Sequence, residues 1–235
     1  MKKYPCQEVR RSAILIPRPY SLTPIPVIPQ PLKKYFAPSL LVYSKKEAQA
    51  KLEFINEHFP KSNLHIDVAD GRFVHSTCWC APANFKKLHI KQPFEVHLMT
   101  LYPEKRIAAW KRAGASRMVF HYEATDNPLR VIETIEKHTM EAGIALNLET
   151  SPKHIALLLD RLDGILFMAI VPGLTGQQFH PSVIRKIKSF HKKYPKKFII
   201  VDGGISAENA PLLIRAGARQ LVSTSAVYGK HFSKS

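Results

Sequence analysis

The length, composition and charge of the chain indicate a globular protein and argue against a membrane protein or a disulfide-rich one. Its 235 residues are 45% hydrophobic and 23% charged, which is typical of a globular protein and enough for one large α/β domain or two small ones. No stretch approaches the roughly 18–20 consecutive apolar residues of a membrane helix, so we expect no membrane association. The three cysteines, Cys6, Cys78 and Cys80, argue against a disulfide framework and predict a reducing, cytoplasmic compartment.

The net charge of +17 is the unusual bulk property. Such a charge can attract nucleic acid or other anions. Much of the excess is spread along presumed helices, as in KIKSFHKKYPKK, without the aromatic and basic interleaving of RNA-binding modules. We therefore favour a solvated basic surface that also attracts phosphorylated metabolites, and we do not expect a nucleic-acid partner.

Residues 1–35 differ in composition from the rest of the chain. Their prolines, which exclude an internal helix or a central strand, are Pro5, Pro17, Pro19, Pro24, Pro26, Pro29 and Pro31. The segment is also basic, and it lacks the apolar core and cleavage site of a signal peptide. We predict an irregular N-terminal extension over residues 1–35, followed by a single folded domain over residues 36–235.

From residue 36 onward, short apolar runs alternate with amphipathic segments. The runs predict strands at 36–42, 64–68, 93–99, 117–122, 144–148, 165–171, 198–202 and 220–224. The intervening segments place apolar residues three and four apart, and Gly114, Gly143 and Gly217 stand where C-cap glycines would end helices. Eight such units predict a (β/α)8 TIM barrel. A doubly wound open sheet fits less well, because no G-x-G-x-x-G follows the first strand.

Four polar residues stand at the ends of three predicted strands: His65 and Asp67, His97, and Asp202. His65 and Asp67 are two residues apart, so their side chains point to the same face of a strand. Strand ends in a barrel face one cavity, where catalytic residues collect. Two imidazoles and two carboxylates there predict a site for one divalent cation, with Zn, Fe, Mn and Co all acceptable. The carboxylates could also transfer protons.

The motifs HIDVADGRFV, EVHLM, VFHYEAT, VPGLTGQQF and VDGGI…AGA…STSAVYG occur together, in order and at barrel spacing. This combination resembles the ribulose-phosphate 3-epimerase family, and the resemblance covers residues 36–229. It implies a metal-dependent isomerase of the pentose phosphate pathway that interconverts D-ribulose 5-phosphate and D-xylulose 5-phosphate. It also implies a phosphorylated ketose as substrate and, by analogy alone, a homo-oligomer.

The resemblance implies roles for individual positions. His65, Asp67, His97 and Asp202 would bind the metal, and Asp67 and Asp202 would be the catalytic pair that transfers a proton at C3 through an enediolate. His121 is expected to make a supporting hydrogen bond. The substrate and its phosphate would be bound by Ser39, His97, Gly173, Leu174, Thr175, Gly176, Asp202, Gly203, Gly204, Thr224 and Ser225. Within this set, residues 173–176 would form a loop that closes over the substrate.

Some positions depart from the usual family pattern. Leu174 and Thr175 stand where the loop usually has Phe and Gly, Thr224 replaces a Gly, and Ala69 stands where a Met is common. Because a missing Met could open volume, a 3-epimerase of a six-carbon ketose phosphate, of the allulose 6-phosphate type, is a second hypothesis. A catalytically inactive sugar-phosphate or RNA-binding paralogue, suggested by the high charge, is a third.

Overall fold

The computed structural model describes residues 28–173, 177–229 and 232, and within them eight parallel strands close into a barrel. Each strand pairs with its neighbours in sequence, and β8 pairs with β1. This closure confirms the predicted (β/α)8 barrel and excludes an open sheet. The strands are β1 (Phe36–Leu40), β2 (Leu64–Ala69), β3 (Phe94–Met99), β4 (Arg117–His121), β5 (Glu141–Leu146), β6 (Gly164–Met168), β7 (Phe198–Asp202) and β8 (Gln220–Ser223).

Helices lie between the strands and cover the outside of the barrel. The α-helices are α1 (Gln30–Lys33), α2 (Lys45–His58), α3 (Pro82–Phe85), α4 (Ile107–Ala113), α5 (Pro128–Lys137), α6 (Ser182–Lys193), α7 (Ala210–Ala216) and α8 (Ser225–Tyr228). Short 3-10 helices span Pro103–Lys105, Tyr122–Ala124 and Pro152–Arg161. In the described part of the chain, no helix is both long enough and apolar enough to span a bilayer.

The strands are buried on both faces, which explains their nearly continuous apolar sequences. Outward-pointing side chains such as Ile66 and Val96 belong to the large core beneath the helices. Inward-pointing ones such as Val119, Leu166 and Ile200 form a smaller core inside the barrel. Because side chains alternate between the two cores, the same alternation directs His65, Asp67 and their partners toward the barrel axis.

Two of the three glycines expected to end helices do so. Gly114 and Gly217 follow α4 and α7 in the left-handed conformation, as C-cap glycines do. The prediction for Gly143 is wrong, because α5 ends at Lys137 and the chain enters β5 at Glu141. Inside the barrel, a Cβ atom on Gly143 would lie 2.9 Å from Cγ2 of Val119. The glycine therefore serves close strand packing and not helix termination.

Only the end of the N-terminal extension lies within the described residues. There the chain forms one helical turn, α1, with Pro31 in its first turn. Proline is tolerated at that position because the first N–H groups of a helix have no intrahelical acceptor. The rest of the extension, residues 1–27, lies outside the described residues, so the predicted division at residue 35 stays a prediction.

Candidate active site

The four side chains predicted to bind a metal converge at the carboxyl ends of β2, β3 and β7. One potential ligand atom from each of them lies within 4.8 Å of the others. Oδ1 of Asp67 is 3.4 Å from Nε2 of His65 and 3.0 Å from Nδ1 of His97. Oδ2 of Asp202 is 3.8 Å from the same His97 nitrogen. We call these four residues the metal-ligand cluster.

Hydrogen bonds behind the cluster select which nitrogen each imidazole presents to it. Nδ1 of His65 lies 2.7 Å from Oε1 of the buried Glu95, which leaves Nε2 facing Asp67. Nε2 of His97 shares a 2.8 Å hydrogen bond with Nε2 of His121, which leaves Nδ1 facing both aspartates. Such contacts fix the tautomer and the orientation of metal-ligating imidazoles. The supporting hydrogen bond predicted for His121 is therefore present.

The donor set fits a divalent transition metal. It offers two nitrogen and two oxygen atoms, which suit Zn, Fe, Mn or Co without selecting one of them. The buried Nε2 of His65 has no hydrogen-bond partner among the described residues. Since buried polar atoms normally have a partner, this nitrogen is available for a cation within the cluster.

A cavity of 720 Å³ opens over the cluster. Its walls contain most of the residues predicted to bind substrate: Ser39, Gly173, Asp202, Gly203, Gly204, Thr224 and Ser225. Asp67, predicted as a catalytic residue and metal ligand, also lines it. His97 is fully buried beneath the cavity and reaches it only through its contacts with the aspartates. Leu174, Thr175 and Gly176 lie outside the described residues, so their part in a closing loop stays a prediction.

A pair of glycines shapes the cavity wall after β7. Gly203 and Gly204 have φ angles of +104° and +62°, which side chains rarely allow. A Cβ atom on Gly203 would lie 2.2 Å from Cγ1 of Ile170, and one on Gly204 would lie 2.6 Å from the backbone nitrogen of Phe179. The turn therefore requires glycine at both positions, and it brings bare backbone to the cavity.

Comparison with known proteins decides the family. Residues 35–228 match the model of the ribulose-phosphate 3 epimerase family. The chain belongs to this family. Membership makes the protein an isomerase acting on carbohydrates, and the cavity with its metal-ligand cluster is the candidate active site of this epimerase.

Several curated relatives are similar over about 70% of the chain. The ribulose-phosphate 3-epimerase of Bacillus subtilis is 39% identical over 174 residues, which are 71% of this chain and 80% of that protein. The chloroplastic ribulose-5-phosphate-3-epimerase of Arabidopsis thaliana is 36% identical over 173 residues, 71% of this chain and 62% of its own. A rice relative, 32% identical over 171 residues (71% of this chain and 75% of its own), is a cytoplasmic isoform. The relatives thus come from different compartments, and cytoplasmic localisation stays a prediction.

Solved structures support the fold alone. A mutant tryptophan synthase α-subunit from Pyrococcus furiosus superposes with a TM-score of 0.61 at 16% identity, covering 82% of this chain and 88% of that chain. The structure titled native KDPGal gives a TM-score of 0.59, also at 16% identity, covering 85% and 86%. At such low identity the shared feature is the barrel and not the chemistry.

The two carboxylates of the epimerase differ in their affinity for protons. Burial and, after it, the nearby charge of Asp67 together raise the pKa of Asp202 to about 7. Burial also disfavours ionised Asp67, but the charge of His65 and the hydrogen bond with His97 outweigh burial and hold the pKa of Asp67 far below its usual range. Environments that push two carboxyl pKa values apart are typical of acid–base pairs. At neutral pH Asp67 is therefore ionised, whereas Asp202 binds a proton much more readily.

The two imidazoles also differ. Burial, followed by the charges of neighbouring histidines, lowers the pKa of His97 to about 4, which favours the neutral form that a metal ligand needs. Burial alone would lower the pKa of His65, but Asp67 and Glu95 raise it well above its usual value. His65 therefore has negative charge on two sides, from Asp67 and from Glu95. The charge of Asp67 would also attract a cation bound within the cluster.

Two hydroxyl groups tie the cluster to the barrel wall. Oγ of Ser39 donates to Oδ2 of Asp67 at 2.5 Å, which leaves Oδ1 toward the imidazoles. The phenol of Tyr228 in α8 donates to the carbonyl of Ser39 at 3.0 Å. This pair of contacts connects the helix after β8 to the carboxylate of Asp67 on β2.

Ala69 does not have the effect suggested by its size. Ala69 is not one of the described residues that line the cavity. It packs in a small buried cluster with Val74 and Met99, against Phe73 and Cys78. Ala69 therefore does not itself widen the cavity, and the six-carbon hypothesis stays a prediction.

Sequence reasoning missed two charged residues that the fold buries at the site. Lys51 of α2 lines the cavity at only 4% exposure, with Nζ 2.9 Å from Glu47 and 3.0 Å from the carbonyl of Leu41. It occupies the apolar stripe of α2, three residues after Ala48. Glu95 lies two residues before His97 on β3, so both side chains point toward the inside of the barrel. In both cases the signal was a charged residue at a position that periodicity assigns to the interior.

Proposed function

We propose that this epimerase interconverts D-ribulose 5-phosphate and D-xylulose 5-phosphate, with Asp67 and Asp202 as the proton-transfer pair. The observation that carries the proposal is a pair of carboxylates in the cavity, Asp67 buried and Asp202 partly buried, whose proton affinities differ. They come from β2 and β7, which are separated by β1 and β8 in the barrel. A substrate between them would meet one carboxylate from each direction.

The chemistry requires two such groups. The C3 proton of the substrate is weakly acidic because the neighbouring carbonyl can accept the electron pair as an enediolate. Inverting C3 needs a base on one face of that planar intermediate and an acid on the other. One of the two aspartates, in its ionised form, would remove the proton, and the other, protonated, would return one to the opposite face. In the reverse reaction the two residues exchange roles.

The rest of the cluster supports this pair. His65, Asp67, His97 and Asp202 would hold one divalent cation, which when bound supplies positive charge that stabilises the enediolate oxygens. Ser39 holds one oxygen of Asp67, so that the carboxylate keeps a fixed orientation while it exchanges protons. Glu95 and His121 hold the imidazoles from behind.

The phosphate of the substrate would lie against the loops after β7 and β8. Gly203, Gly204, Thr224 and Ser225 line that part of the cavity, and this is where TIM barrels commonly bind phosphate. The glycine pair allows the backbone to approach an anion closely. The buried ammonium group of Lys51 lines the same cavity, where it is paired with Glu47.

The test is turnover of D-ribulose 5-phosphate by purified protein and by variants with Asp67→Asn or Asp202→Asn. Each variant should lose at least about 10³-fold in kcat, because amides cannot transfer the proton. Asp160→Asn, at an exposed position in the Pro152–Arg161 helix, is the matched control and should retain full activity. Substantial turnover by both active-site variants would refute the proposed pair.

A comparison of sugars tests the substrate. With Ala69 packed away from the cavity, we expect kcat/KM to be higher for ribulose 5-phosphate than for allulose 6-phosphate. The opposite ratio would favour the six-carbon hypothesis. Absence of turnover on both, with RNA bound instead, would favour the inactive paralogue.

A further inference from the structure

A second cavity, of 550 Å³, opens at the opposite end of the barrel from the metal-ligand cluster. It lies where β1 and β8 begin, between α1 and the end of α2. Its floor is closed by the buried residues Phe36, Ala37, Phe59 and Gln220. We call it the basal cavity. Nothing in the proposed epimerase chemistry uses it.

The walls of the basal cavity carry an uncompensated positive charge. Lys33, Lys34, Lys61 and Arg219 line it, and no aspartate or glutamate does. Within the described ranges 28–173, 177–229 and 232, no ion pair joins any of these four side chains to a carboxylate. Four cations that converge on a concave site focus a positive potential there.

Aromatic rings hold two of these cations without neutralising them. Nζ of Lys33 lies 4.8 Å from the ring centre of Phe59, and Nζ of Lys34 lies 5.3 Å from that of Tyr35. A cation over an aromatic face is attracted by the ring but keeps its full charge. The ammonium groups are therefore held at the cavity wall and stay available to an anion.

The preceding chain can contribute little negative charge. Residues 1–27 contain a single carboxylate side chain, Glu8. They contain five basic side chains: Lys2, Lys3, Arg10, Arg11 and Arg18. The charge of the basal cavity therefore calls for a ligand from solution.

We propose that the basal cavity binds a small anion carrying two or more phosphate groups. The cavity volume of 550 Å³ lies within the roughly 300–1,000 Å³ of small-ligand pockets, so the cavity is large enough for a small anion with several phosphate groups. Four cationic side chains exceed the charge of a single phosphate, so a ligand with several phosphates matches them better. A nucleic-acid strand would instead need an extended basic groove with stacking aromatics.

The experiment is isothermal titration of the full-length protein with inorganic tripolyphosphate, with orthophosphate as comparison. We expect saturable binding of tripolyphosphate that is much tighter than that of orthophosphate and that weakens with added salt. Arg219→Glu and, in a separate protein, Lys61→Glu should each weaken binding by about tenfold or more, because each reverses one charge at the cavity. Both side chains are exposed, so both variants should fold. Gln220 stays unchanged because its amide donates to Glu95.

Lys137→Glu is the matched control. Lys137 is an exposed residue at the end of α5, beside β5, which is four strands from β1 in either direction around the barrel. The control should bind tripolyphosphate like the unaltered protein, and all three variants should keep the basal epimerase activity. Equal binding by the Arg219 and Lys61 variants and the unaltered protein would overturn the proposal. The proposal would also be overturned if only Thr224→Glu, a change in the active-site cavity, abolished tripolyphosphate binding. It would likewise be overturned if an RNA oligonucleotide bound more tightly than tripolyphosphate and lost affinity in the Arg219 and Lys61 variants.

Discussion

Glu95 holds His65 from behind: Oε1 of this fully buried carboxylate lies 2.7 Å from Nδ1 of the imidazole. The same carboxylate accepts hydrogen bonds from Arg117, at 3.0 Å, and from Gln220. The guanidinium and the amide thus compensate a charge that burial would otherwise disfavour. His65 is thereby fixed with Nε2 toward the other residues of the metal-ligand cluster.

Glu95→Gln should weaken metal binding. The amide keeps the size of the side chain but loses the charge that orients the imidazole and raises its basicity. Loss of such a partner typically costs about 10–100-fold in metal affinity, which competition with a chelating dye would measure for Zn or Co. Glu141→Gln is the control, because Glu141 also pairs with Arg117 but lies far more exposed. Unchanged metal affinity in the Glu95 variant would contradict this role.

His121→Phe should have a similar effect through the second imidazole. His121 shares a 2.8 Å hydrogen bond with His97, and a phenyl ring keeps the packing but cannot accept that bond. We expect metal affinity to fall by about tenfold or more. His154→Phe, at an exposed residue that stacks on Tyr122, should leave it unchanged. An equal loss in both variants would mean that the effect is not specific to His97.

Most of the fold, and the convergence of the four residues of the metal-ligand cluster, could be predicted because their signals are local. Apolar runs of strand length mark the barrel strands, and polar residues at the ends of those runs mark the site. The start of β5 was misplaced because α5 and β5 are joined by a short turn in which Thr139 has φ of +51°, so the apolar pattern runs on without a break. The role of Gly143 depends on contact with Val119 of β4, which no local pattern encodes.

The contacts behind the ligands were harder to predict. The burial of Glu95 could have been predicted, because it lies two residues from His97 and points to the same face of β3. Its partners could not, because Arg117 and Gln220 are far from it in sequence. Ala69 looked like an opening in the cavity because its contact with Cys78, nine residues further along the chain, forms only in the folded protein. Such packing depends on tertiary contacts and follows only from the folded chain.

The stability of the fold should depend on pH through Glu123. Burial disfavours its charge, but hydrogen bonds involving His121, Thr150 and the Asn147 backbone outweigh burial and lower the pKa of Glu123 to about 2 from an ordinary 4.5. A depressed carboxyl pKa stabilises the fold above the unfolded pKa, and this contribution is lost as pH falls from about 5 to about 2. Glu123→Gln should therefore destabilise the protein near neutral pH by roughly 1–3 kcal/mol.

Urea unfolding of both proteins at a series of pH values measures this linkage. The difference in unfolding free energy between the original protein and the Glu123→Gln variant should shrink steadily as pH falls below about 5. A difference that stays constant across that range would show that the ionised carboxylate is not the source of the stabilisation.

Gly203→Ala should destabilise the fold strongly. The residue has φ of +104°, and its new Cβ would lie 2.2 Å from Ile170, so we expect a loss of roughly 2–4 kcal/mol in unfolding free energy. Gly164→Ala in β6 is the matched control, since the nearest atom to its Cβ is 3.6 Å away and its φ is not positive. The control should change stability by about 1 kcal/mol or less. Equal losses in denaturant titrations would disprove the steric argument.

The most direct test of the proposed function follows C3 of the sugar during turnover in D₂O. The protein is incubated with D-ribulose 5-phosphate, and the products are examined by NMR. Proton transfer between two carboxylates that exchange with solvent predicts D-xylulose 5-phosphate carrying deuterium at C3, in amounts that depend on both Asp67 and Asp202. Formation of D-xylulose 5-phosphate that retains its original C3 hydrogen, or no epimerisation at all by the metal-loaded protein, would contradict it.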